Sequence, residues 1–380
     1  MKSTSRISCL LLMSTMILSA TELQAQKLNL LIGTYTKPGK SEGIYVYEFD
    51  TKTGKSIYKN KATGLNNPSY LALSKDEKHV YAVSEAGPGK GGASAFAFDK
   101  KTGALSFLNT KPSVGNGPCY IAVGDQSKHI FLANYGGGSL TAIPVNADGS
   151  LGDTNQHIKY EGGSVNKDRQ SAPHVHSTVL SPDNKFLFVS DLGTDRINIY
   201  RYNSENQETP LTSAGIPFVS VIPGSGPRHF DFHPNQKFAY SIQEMSGNVS
   251  VFKYNNGSLE LLENISSIPP DYKGNIWSAD IHVSPDGKFL YTSTRDQLNE
   301  IVIFKIDKSS GKLTLAGRHS SLGKAPRNFV IDPSGNFLLV ANQNSDNIVV
   351  LKRDKTTGLL KNTGEELKIA SPVCLKFASN

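Results

Sequence analysis

The chain has 380 residues, of which 38% are hydrophobic and 19% are charged, and its formal net charge is +7 at pH 7. The positive charge is spread along the chain without a basic run or an RNA-binding motif, so we expect no nucleic-acid partner. A mildly basic protein of this kind suits an anionic small molecule.

The N-terminal segment has the pattern of a secretory signal peptide. Two basic residues precede an apolar run that ends at Leu18, and small residues then lead to Ala25. The apolar run is short for a membrane span, and Cys9 lies at its beginning rather than after it, unlike the cysteine of a lipoprotein. We therefore expect residues 1–25 to be removed and residues 26–380 to form one exported domain, periplasmic or secreted, without a membrane span. The alternative is an N-terminal anchor that is never cleaved.

The rest of the chain repeats a unit of about 50 residues, a period typical of propellers and solenoids. Each unit reads as a short strand, a turn rich in Pro, Asp and Gly, a second strand rich in aromatic and β-branched residues, a polar loop and a third, alternating strand. A fourth strand follows a turn such as Lys101-Thr102-Gly103. In chain order, six units begin near Pro68, Pro118, Ser177, Phe230, Ile281 and Phe329.

The seventh unit is divided between the two ends of the chain. The segment from Leu30 to Asp50 supplies a second and a third strand, and the segment SPVCLKFA, which contains Pro372, supplies the inner strand. Pairing the two ends leaves no free edge in the closing blade. We therefore predict an all-β fold, a seven-bladed β-propeller of four-stranded antiparallel blades whose closing blade is shared between the N- and C-termini. A pair of β-sandwiches or a β-solenoid explains neither the period nor the divided unit.

Polar residues recur at one end of the predicted blades. The start of each inner strand and the end of each second strand lie at the same end of a blade, so both face one rim of the central channel. Arg228 and Arg327 occupy the same inner-strand position in different blades, and like charges converge there only if an anion or carboxylates offset them. Glu85 and Glu244, at the ends of second strands, could offset them internally. The rim is then either a binding site or a buried ion-pair network.

Three further features bear on the chemistry of the rim. Asp280 and His282 alternate on an inner strand beside Trp277, whose indole offers a flat wall for a ring-shaped ligand. His174 and His176 could share one face of a strand and chelate a metal, but neither a Cys-x-x-Cys pair nor an acidic calcium loop accompanies them. The signal for a metal is therefore weak, and we expect none. There is also no nucleophile elbow, phosphate-binding loop or dinucleotide fingerprint, which disfavours nucleophilic and nucleotide-dependent mechanisms, and we expect no cofactor.

We expect the cysteines of the predicted domain to be free thiols and not to form a disulfide. Only Cys119 and Cys374 lie beyond residue 25. The repeats place them two blades apart, so we expect both to be free and buried. We also expect the domain to be a monomer.

These residues resemble the seven-bladed propeller lactonase family, which includes bacterial propeller-type 6-phosphogluconolactonases and fungal carboxymuconate lactonising enzymes. The resemblance covers nearly all of residues 26–380. Its most specific stretches are IGTYT at Ile32, PHVHS at Pro173, GPRHFDFHP at Gly226 and ADIHVSPDGKFLY at Ala279. By resemblance, the catalytic site consists of His176, Arg228, Glu244 and Arg295.

For the hydrolysis of a lactone we expect a role for each of these residues. Glu244 or His176 would act as the general base on a water molecule, and the other would act as the acid toward the ring oxygen. Arg228 and Arg295 would stabilise the oxyanion, and Arg327 would contact a phosphate or a carboxylate. The other residues expected to contact the substrate are His174, Asp280, His282, Trp277, Asn134, Glu85 and Gln343.

The identity of the substrate stays open at this point, because the phosphorylated lactone of the family is a cytoplasmic intermediate and this chain carries a predicted signal peptide. We expect the hydrolysis of a sugar-acid lactone, either 6-phosphogluconolactone-like or an unphosphorylated aldonolactone. The alternatives are a cycloisomerase that acts on an unsaturated diacid and a non-catalytic propeller that binds a carbohydrate or a protein.

Overall fold

A computed structural model describes residues 26–37 and 39–380, and the strands of these residues form seven four-stranded antiparallel sheets. Each sheet is one blade, which confirms the predicted all-β propeller. The predicted signal peptide, residues 1–25, lies outside the described residues. A 3-10 turn at Asp125–Ser127 interrupts the strands, and no helix in the described part of the chain is long and apolar enough to cross a membrane.

The four strands of each blade run in order from the channel outwards. Blades 1 to 4 contain β28 (Pro372–Ser379), β1 (Lys27–Thr34), β2 (Gly43–Asp50) and β3 (Ser56–Thr63); β4 (Leu71–Leu73), β5 (His79–Ser84), β6 (Gly92–Asp99) and β7 (Ala104–Pro112); β8 (Pro118–Val123), β9 (His129–Asn134), β10 (Ser139–Pro144) and β11 (Gln156–Lys159); and β12 (Val175–Leu180), β13 (Phe186–Asp191), β14 (Arg196–Tyr202) and β15 (Leu211–Ser220). Blades 5 to 7 contain β16 (Pro227–Phe232), β17 (Phe238–Gln243), β18 (Asn248–Asn255) and β19 (Ser258–Ser266); β20 (Ser278–Val283), β21 (Phe289–Thr294), β22 (Glu300–Ile306) and β23 (Leu313–Ser320); and β24 (Pro326–Ile331), β25 (Phe337–Asn342), β26 (Asn347–Arg353) and β27 (Leu360–Lys368).

Blade 1 is the predicted closing blade. Its inner strand β28 comes from the C-terminal end of the chain and pairs with β1 from the N-terminal end. Leu30 lies opposite Phe377 on one side and Tyr47 on the other, so β1 is hydrogen-bonded along both edges. The divided seventh unit is therefore confirmed, and the circle of blades closes through main-chain pairing of the two ends.

The burial of each strand follows from its place in the blade. Second strands such as β13 and β25 are buried at every residue, because both of their faces pack against neighbouring blades. This explains why the sequence shows continuous apolar runs there instead of an alternating pattern. Outer strands such as β27 alternate between buried or half-buried and exposed residues. Cys119 and Cys374 are buried and free, as predicted.

Tight turns between the third and fourth strands pack against the neighbouring blade. In blade 6, Asp307 accepts hydrogen bonds from the backbone N–H groups of Ser309 and Ser310, and the turn ends at Gly311 with a φ of +72°. A Cβ on Gly311 would lie 2.5 Å from the ring of Phe238 in blade 5. Glycine is required there both for the left-handed backbone and for the close approach of the aromatic ring.

Candidate active site

The inner strands of six blades begin with an irregular register. In five of them the ladder skips one residue, which faces the channel, and in blade 6 it skips two, Ala279 and Asp280. In blade 5 the pairing jumps from Pro227 to His229, which leaves Arg228 as the extra residue. The same irregularity occurs in blades 1, 3, 4 and 7, where it sets apart Val373, Cys119, His176 and Arg327. Because a β-bulge turns the extra side chain away from the regular pleat, this device aims one residue per blade at the axis.

These bulged residues surround a narrow pocket at one end of the channel, which we call the rim pocket. The space at its centre, about 10 Å³, is enough for about one water molecule. The residues that line it are Tyr35, Ser69, Tyr70, Glu85, Cys119, His176, Arg228, His229, Arg327 and Val373. Tyr70 stacks on Tyr120 at 4.0 Å between ring centroids, and Tyr120 lines the hollow at the other end of the inner strands. The aromatic pair therefore separates the two ends of the channel.

Glu244 lies next to the rim pocket and is bound by three arginines. Arg228 Nε and Arg295 Nη2 donate to its Oε2 at 2.8 and 2.9 Å, and Arg169 Nη2 donates to its Oε1 at 2.6 Å. Burial opposes ionisation of the carboxyl group, but Arg295, Arg228 and Arg169 outweigh it and lower the pKa of Glu244 to about 2. We call these four residues the Glu244 cluster. The carboxylate is ionised at neutral pH and is a very weak base.

Arg169 is the member of this cluster that the sequence analysis missed. It lies in the long connection between β11 and β12, outside the repeated strands. Its guanidinium stands 4.5 Å from the ring centroid of Trp277 and donates to Tyr135 Oη at 3.3 Å. Arg295 also contacts the indole, at 5.7 Å. Trp277, predicted as a flat wall for a ligand, is therefore covered by two guanidinium groups.

His176 is buried on the wall of the rim pocket between Tyr135 and His229. Its Nδ1 lies 3.9 Å from Cys119 Sγ, and its Nε2 makes no hydrogen bond within residues 26–37 and 39–380. Burial, reinforced by Arg228, lowers the pKa of His176 well below 6.5. The imidazole is therefore neutral at pH 7 and has a lone pair available to accept a proton.

The opposite wall of the rim pocket is built around Glu85 and Arg327. The hydroxyl groups of Tyr35 and Ser69 both donate to Glu85 Oε2, the first at 2.8 Å. The Arg327 guanidinium lies 5.4 Å from the ring centroid of Tyr35, and within the described part of the chain it has no hydrogen bond and no ion pair. Burial works against its charge, but Tyr35 and Glu85 outweigh burial and raise the pKa of Arg327. This wall therefore offers a half-buried cation that, among the described residues, is paired with no hydrogen-bond acceptor and no carboxylate.

The structure places the remaining predicted residues away from the pocket. Asp280 is fully buried behind His229, and His282 lies beyond it, with its Nε2 3.1 Å from Asp280 Oδ2. Asn134 is fully buried and donates to Ser139 and Thr141 of its own blade, as a residue that fixes a turn would do. Gln343 lines a separate hollow that it shares with Tyr35.

The predicted histidine pair is also divided. His174 stacks on Tyr135 at 4.6 Å, and its Nδ1 lies 3.0 Å from the carbonyl oxygen of the same tyrosine. His176 contacts the edge of that ring from the side of the rim pocket. Among the described residues there is no group of three or more His, Cys, Asp or Glu side chains that could hold a metal ion.

The structure thus brings His176, Arg228, Arg327 and Glu85 together around the rim pocket, with Glu244 and Arg295 in contact with Arg228 or with each other. His229, which follows Arg228 directly, also lines the rim pocket and was not among the predicted residues. The adjacent Arg and His at the start of β16 could have indicated it, because a bulge lets both of these residues approach the channel.

Comparison with known proteins gives one consistent result. Residues 29–377 match the family model described as "Lactonase, 7-bladed beta-propeller". The chain is 39% identical to a 6-phosphogluconolactonase of Formosa agariphila, over 90% of this chain and 96% of that protein, and 36% identical to a 6-phosphogluconolactonase of Bacillus subtilis, over 91% and 97%. Among solved structures, a periplasmic gluconolactonase of Pseudomonas aeruginosa superposes with a TM-score of 0.88 at 38% identity, over 93% of this chain and 99% of that one.

Proposed function

The chain belongs to the seven-bladed β-propeller lactonase family and is a lactone-hydrolysing carboxylic ester hydrolase; we propose that it opens a sugar-acid lactone at the mouth of the rim pocket. The observation that carries this proposal is a neutral, buried histidine that faces the same small space as Arg228. Hydrolysis of a cyclic ester needs a base for water and a cation for the developing oxyanion. His176 and Arg228 supply the two.

His176 is the base in this proposal. Its Nε2 takes a proton from water while the water oxygen attacks the lactone carbonyl carbon. As the tetrahedral intermediate collapses, the bond from that carbon to the ring oxygen breaks, and His176 returns the proton to the ring oxygen. Glu244 is a poor alternative base, because three arginines hold its pKa near 2. One histidine thus acts first as base and then as acid.

Arg228 stabilises the negative charge that develops on the carbonyl oxygen. Its Nε and Nη1 atoms bond to protein acceptors, whereas its Nη2 has no hydrogen bond within the described residues. The Nη2 group is therefore available for the oxyanion. Glu244 holds the guanidinium of Arg228 in place, and Arg295 in turn binds Glu244.

The charge of the site favours an anionic substrate. Arg169, Arg228, Arg295 and Arg327 bring four guanidinium groups against the two carboxylates of Glu85 and Glu244. The excess of two positive charges suits the phosphate of 6-phosphogluconolactone, which Arg327 would bind. An unphosphorylated aldonolactone is the second candidate, favoured by the name of the periplasmic relative from Pseudomonas aeruginosa.

The test uses the purified protein with 6-phosphogluconolactone and with glucono-1,5-lactone, and it measures acid release above the spontaneous rate. We expect Arg228→Gln to lower kcat/KM at least about 100-fold, as the loss of an oxyanion donor does. The matched control is Arg353→Gln, which removes another buried arginine, bonded to Asp286 and Tyr291 far from the rim pocket. This variant should lose stability and keep its activity per folded molecule. If Arg228→Gln behaves like Arg353→Gln, Arg228 has only a structural role.

We also propose that residues 1–25 direct export and that the mature domain is a monomer. The pattern of basic, apolar and small residues supports export, and so does the periplasmic relative. Fractionation of cells that express the chain with and without residues 1–25 tests the first proposal. Light scattering on the purified domain tests the second.

A further inference from the structure

Arg228 is held from behind by a chain of two buried side chains. Its Nη1 lies 3.1 Å from His229 Nε2, and His229 Nδ1 lies 2.6 Å from Asp280 Oδ1. Arg228, His229 and Asp280 are 1%, 5% and 1% exposed. The same Nη1 donates to the backbone oxygen of Ala279 at 2.5 Å, which ties Arg228 in blade 5 to blade 6.

The geometry determines which nitrogen of His229 carries the proton. The Asp280 carboxylate can only accept hydrogen bonds, so His229 Nδ1 must be the donor. A neutral His229 then has a lone pair on Nε2, and this lone pair accepts the N–H of Arg228. Burial and Arg228 lower the pKa of His229 to about 4 against the pull of Asp280, so the ring is neutral at pH 7.

Asp280 is itself fixed by several donors. Its Oδ2 accepts from Asn328 Nδ2 at 2.5 Å and from the backbone N–H of Phe329 at 3.1 Å. Its Oδ1 accepts from the backbone N–H of Ile281 at 3.0 Å in addition to His229. Burial opposes the charge of Asp280, but His282 and the hydrogen bond from His229 outweigh burial and keep the pKa of Asp280 well below the ordinary value. The carboxylate therefore stays ionised and immobile.

We propose that Asp280 and His229 are a positioning pair: Asp280 fixes the Nδ1–H tautomer of His229, and the Nε2 lone pair directs Arg228 toward the lactone carbonyl. The proposal rests on the proposed function for the role of Arg228. Asp280, predicted from the sequence as a substrate contact, instead acts through His229. With two of its nitrogen atoms bonded inside the protein, Arg228 has one orientation left, and its Nη2 is presented to the rim pocket.

The substitution Asp280→Asn separates this role from a purely structural one. The amide nitrogen should take the place of Oδ1, where it loses one fixed donor, the N–H of Ile281, whereas at Oδ2 it would oppose the donors of both Asn328 and Phe329. An N–H group in that place forces His229 into the Nε2–H tautomer, and Nε2–H then opposes the N–H of Arg228. We expect kcat to fall about 10- to 100-fold with a smaller change in KM, as for other residues that orient a functional group.

Two measurements test the proposal. Lactone hydrolysis gives kcat and KM, and 15N NMR of histidine-labelled protein identifies the tautomer of His229. We expect Nδ1–H in the parent chain and Nε2–H in Asp280→Asn. We also expect His229→Gln, whose amide can donate to Asp280 and accept from Arg228, to retain more kcat than His229→Leu.

The control is Asp286→Asn, which makes the same change at a carboxylate of blade 6 that binds Arg353 outside the rim pocket. It should lower the melting temperature and leave kcat unchanged. The proposal is overturned if Asp280→Asn keeps its kcat, or if kcat falls while His229 retains the Nδ1–H tautomer. A parent chain that hydrolyses no lactone would refute the proposed function, whereas the NMR result would still decide the tautomer.

Discussion

Two glutamates, three blades apart, are held in different ways at the rim of the channel. Glu244 in blade 5 accepts from three guanidinium groups, and its charge is more than balanced inside the protein. Glu85 in blade 2 accepts from two hydroxyl groups, and the nearby Arg327 remains without an ion-pair partner in the described residues. The Glu244 side is therefore an ion-pair network within the protein, whereas on the Glu85 side the guanidinium of Arg327 is available to bind an anionic ligand.

This difference bears on the choice that the sequence leaves open between a buried network and a binding site. Each alternative describes one side of the rim. Buried ion pairs seldom stabilise a fold more than apolar residues would, but they can fix the orientation of the groups they contain. We infer that the Glu244 cluster orients Arg228, and that the Glu85 side binds the anionic part of the substrate.

The largest expected effect comes from removing the charge of Glu244. Glu244→Gln leaves Arg169, Arg228 and Arg295 without a carboxylate in a buried site. Breaking a buried ion pair on one side costs about 3–5 kcal/mol in the free energy of unfolding, and we expect kcat/KM to fall at least about 100-fold because Arg228 loses its orientation. Denaturant titration and acid release measure the two effects.

Glu85→Gln is the matched variant on the other wall. Its amide oxygen can still accept from the hydroxyl groups of Tyr35 and Ser69, so the free energy of unfolding should change by less than about 1.5 kcal/mol. Equal losses in the two variants would show that the two walls do not differ as the contacts indicate.

The sequence predicts three members of the Glu244 cluster and misses the fourth. Arg228, Glu244 and Arg295 lie at strand ends, where the repeats align, so their approach to the channel follows from propeller geometry. Arg169 lies in a connection without any repeat, and its distance from Glu244 along the chain hides their contact. No periodic pattern places such a residue.

The β-bulges at the start of the inner strands could not be predicted from the sequence either. A single extra residue at the start of an inner strand changes the direction of Arg228 or Arg327 without changing the hydrophobic pattern of the blade. Asn134 was predicted at the site because it ends a second strand, but Glu85 and Glu244 come one residue after theirs, and the side chain of Asn134 bonds to its own hairpin. The alignment of repeats gives the position of a residue but not its hydrogen-bond partners.

Arg327→Gln has an intermediate expected effect and tests the Glu85 side. Because Arg327 is assigned to a part of the substrate that does not react, its loss should raise KM and leave kcat within a few-fold. For 6-phosphogluconolactone we expect KM to rise about 10- to 100-fold, the effect of losing a charge-assisted contact to phosphate. Glucono-1,5-lactone provides the control, since it lacks the phosphate. An equal rise in KM for both lactones would contradict a phosphate contact.

The smallest expected effect is a constant kcat/KM between neutral pH and pH 6.5. His176 works as a neutral base, and protonation removes that function. Since burial and Arg228 hold the pKa of His176 well below 6.5, activity should decline only as the pH falls through that lowered value. A decline that is already half complete at pH 6.5 would mean that an unshifted group controls the reaction.

The decline of activity at low pH, which we call the acid limb of the pH profile, should depend on both walls of the rim pocket. Arg327 is among the charges that lower the pKa of His176, although it lies on the Glu85 side. Removing that charge in Arg327→Gln should raise the pKa of His176 and move the acid limb toward higher pH, in addition to the change in KM. A pH profile of kcat/KM for the parent chain and for Arg327→Gln, measured with glucono-1,5-lactone, separates this electrostatic effect from phosphate binding. An unmoved limb would show that His176 does not respond to Arg327, or that another group is the base.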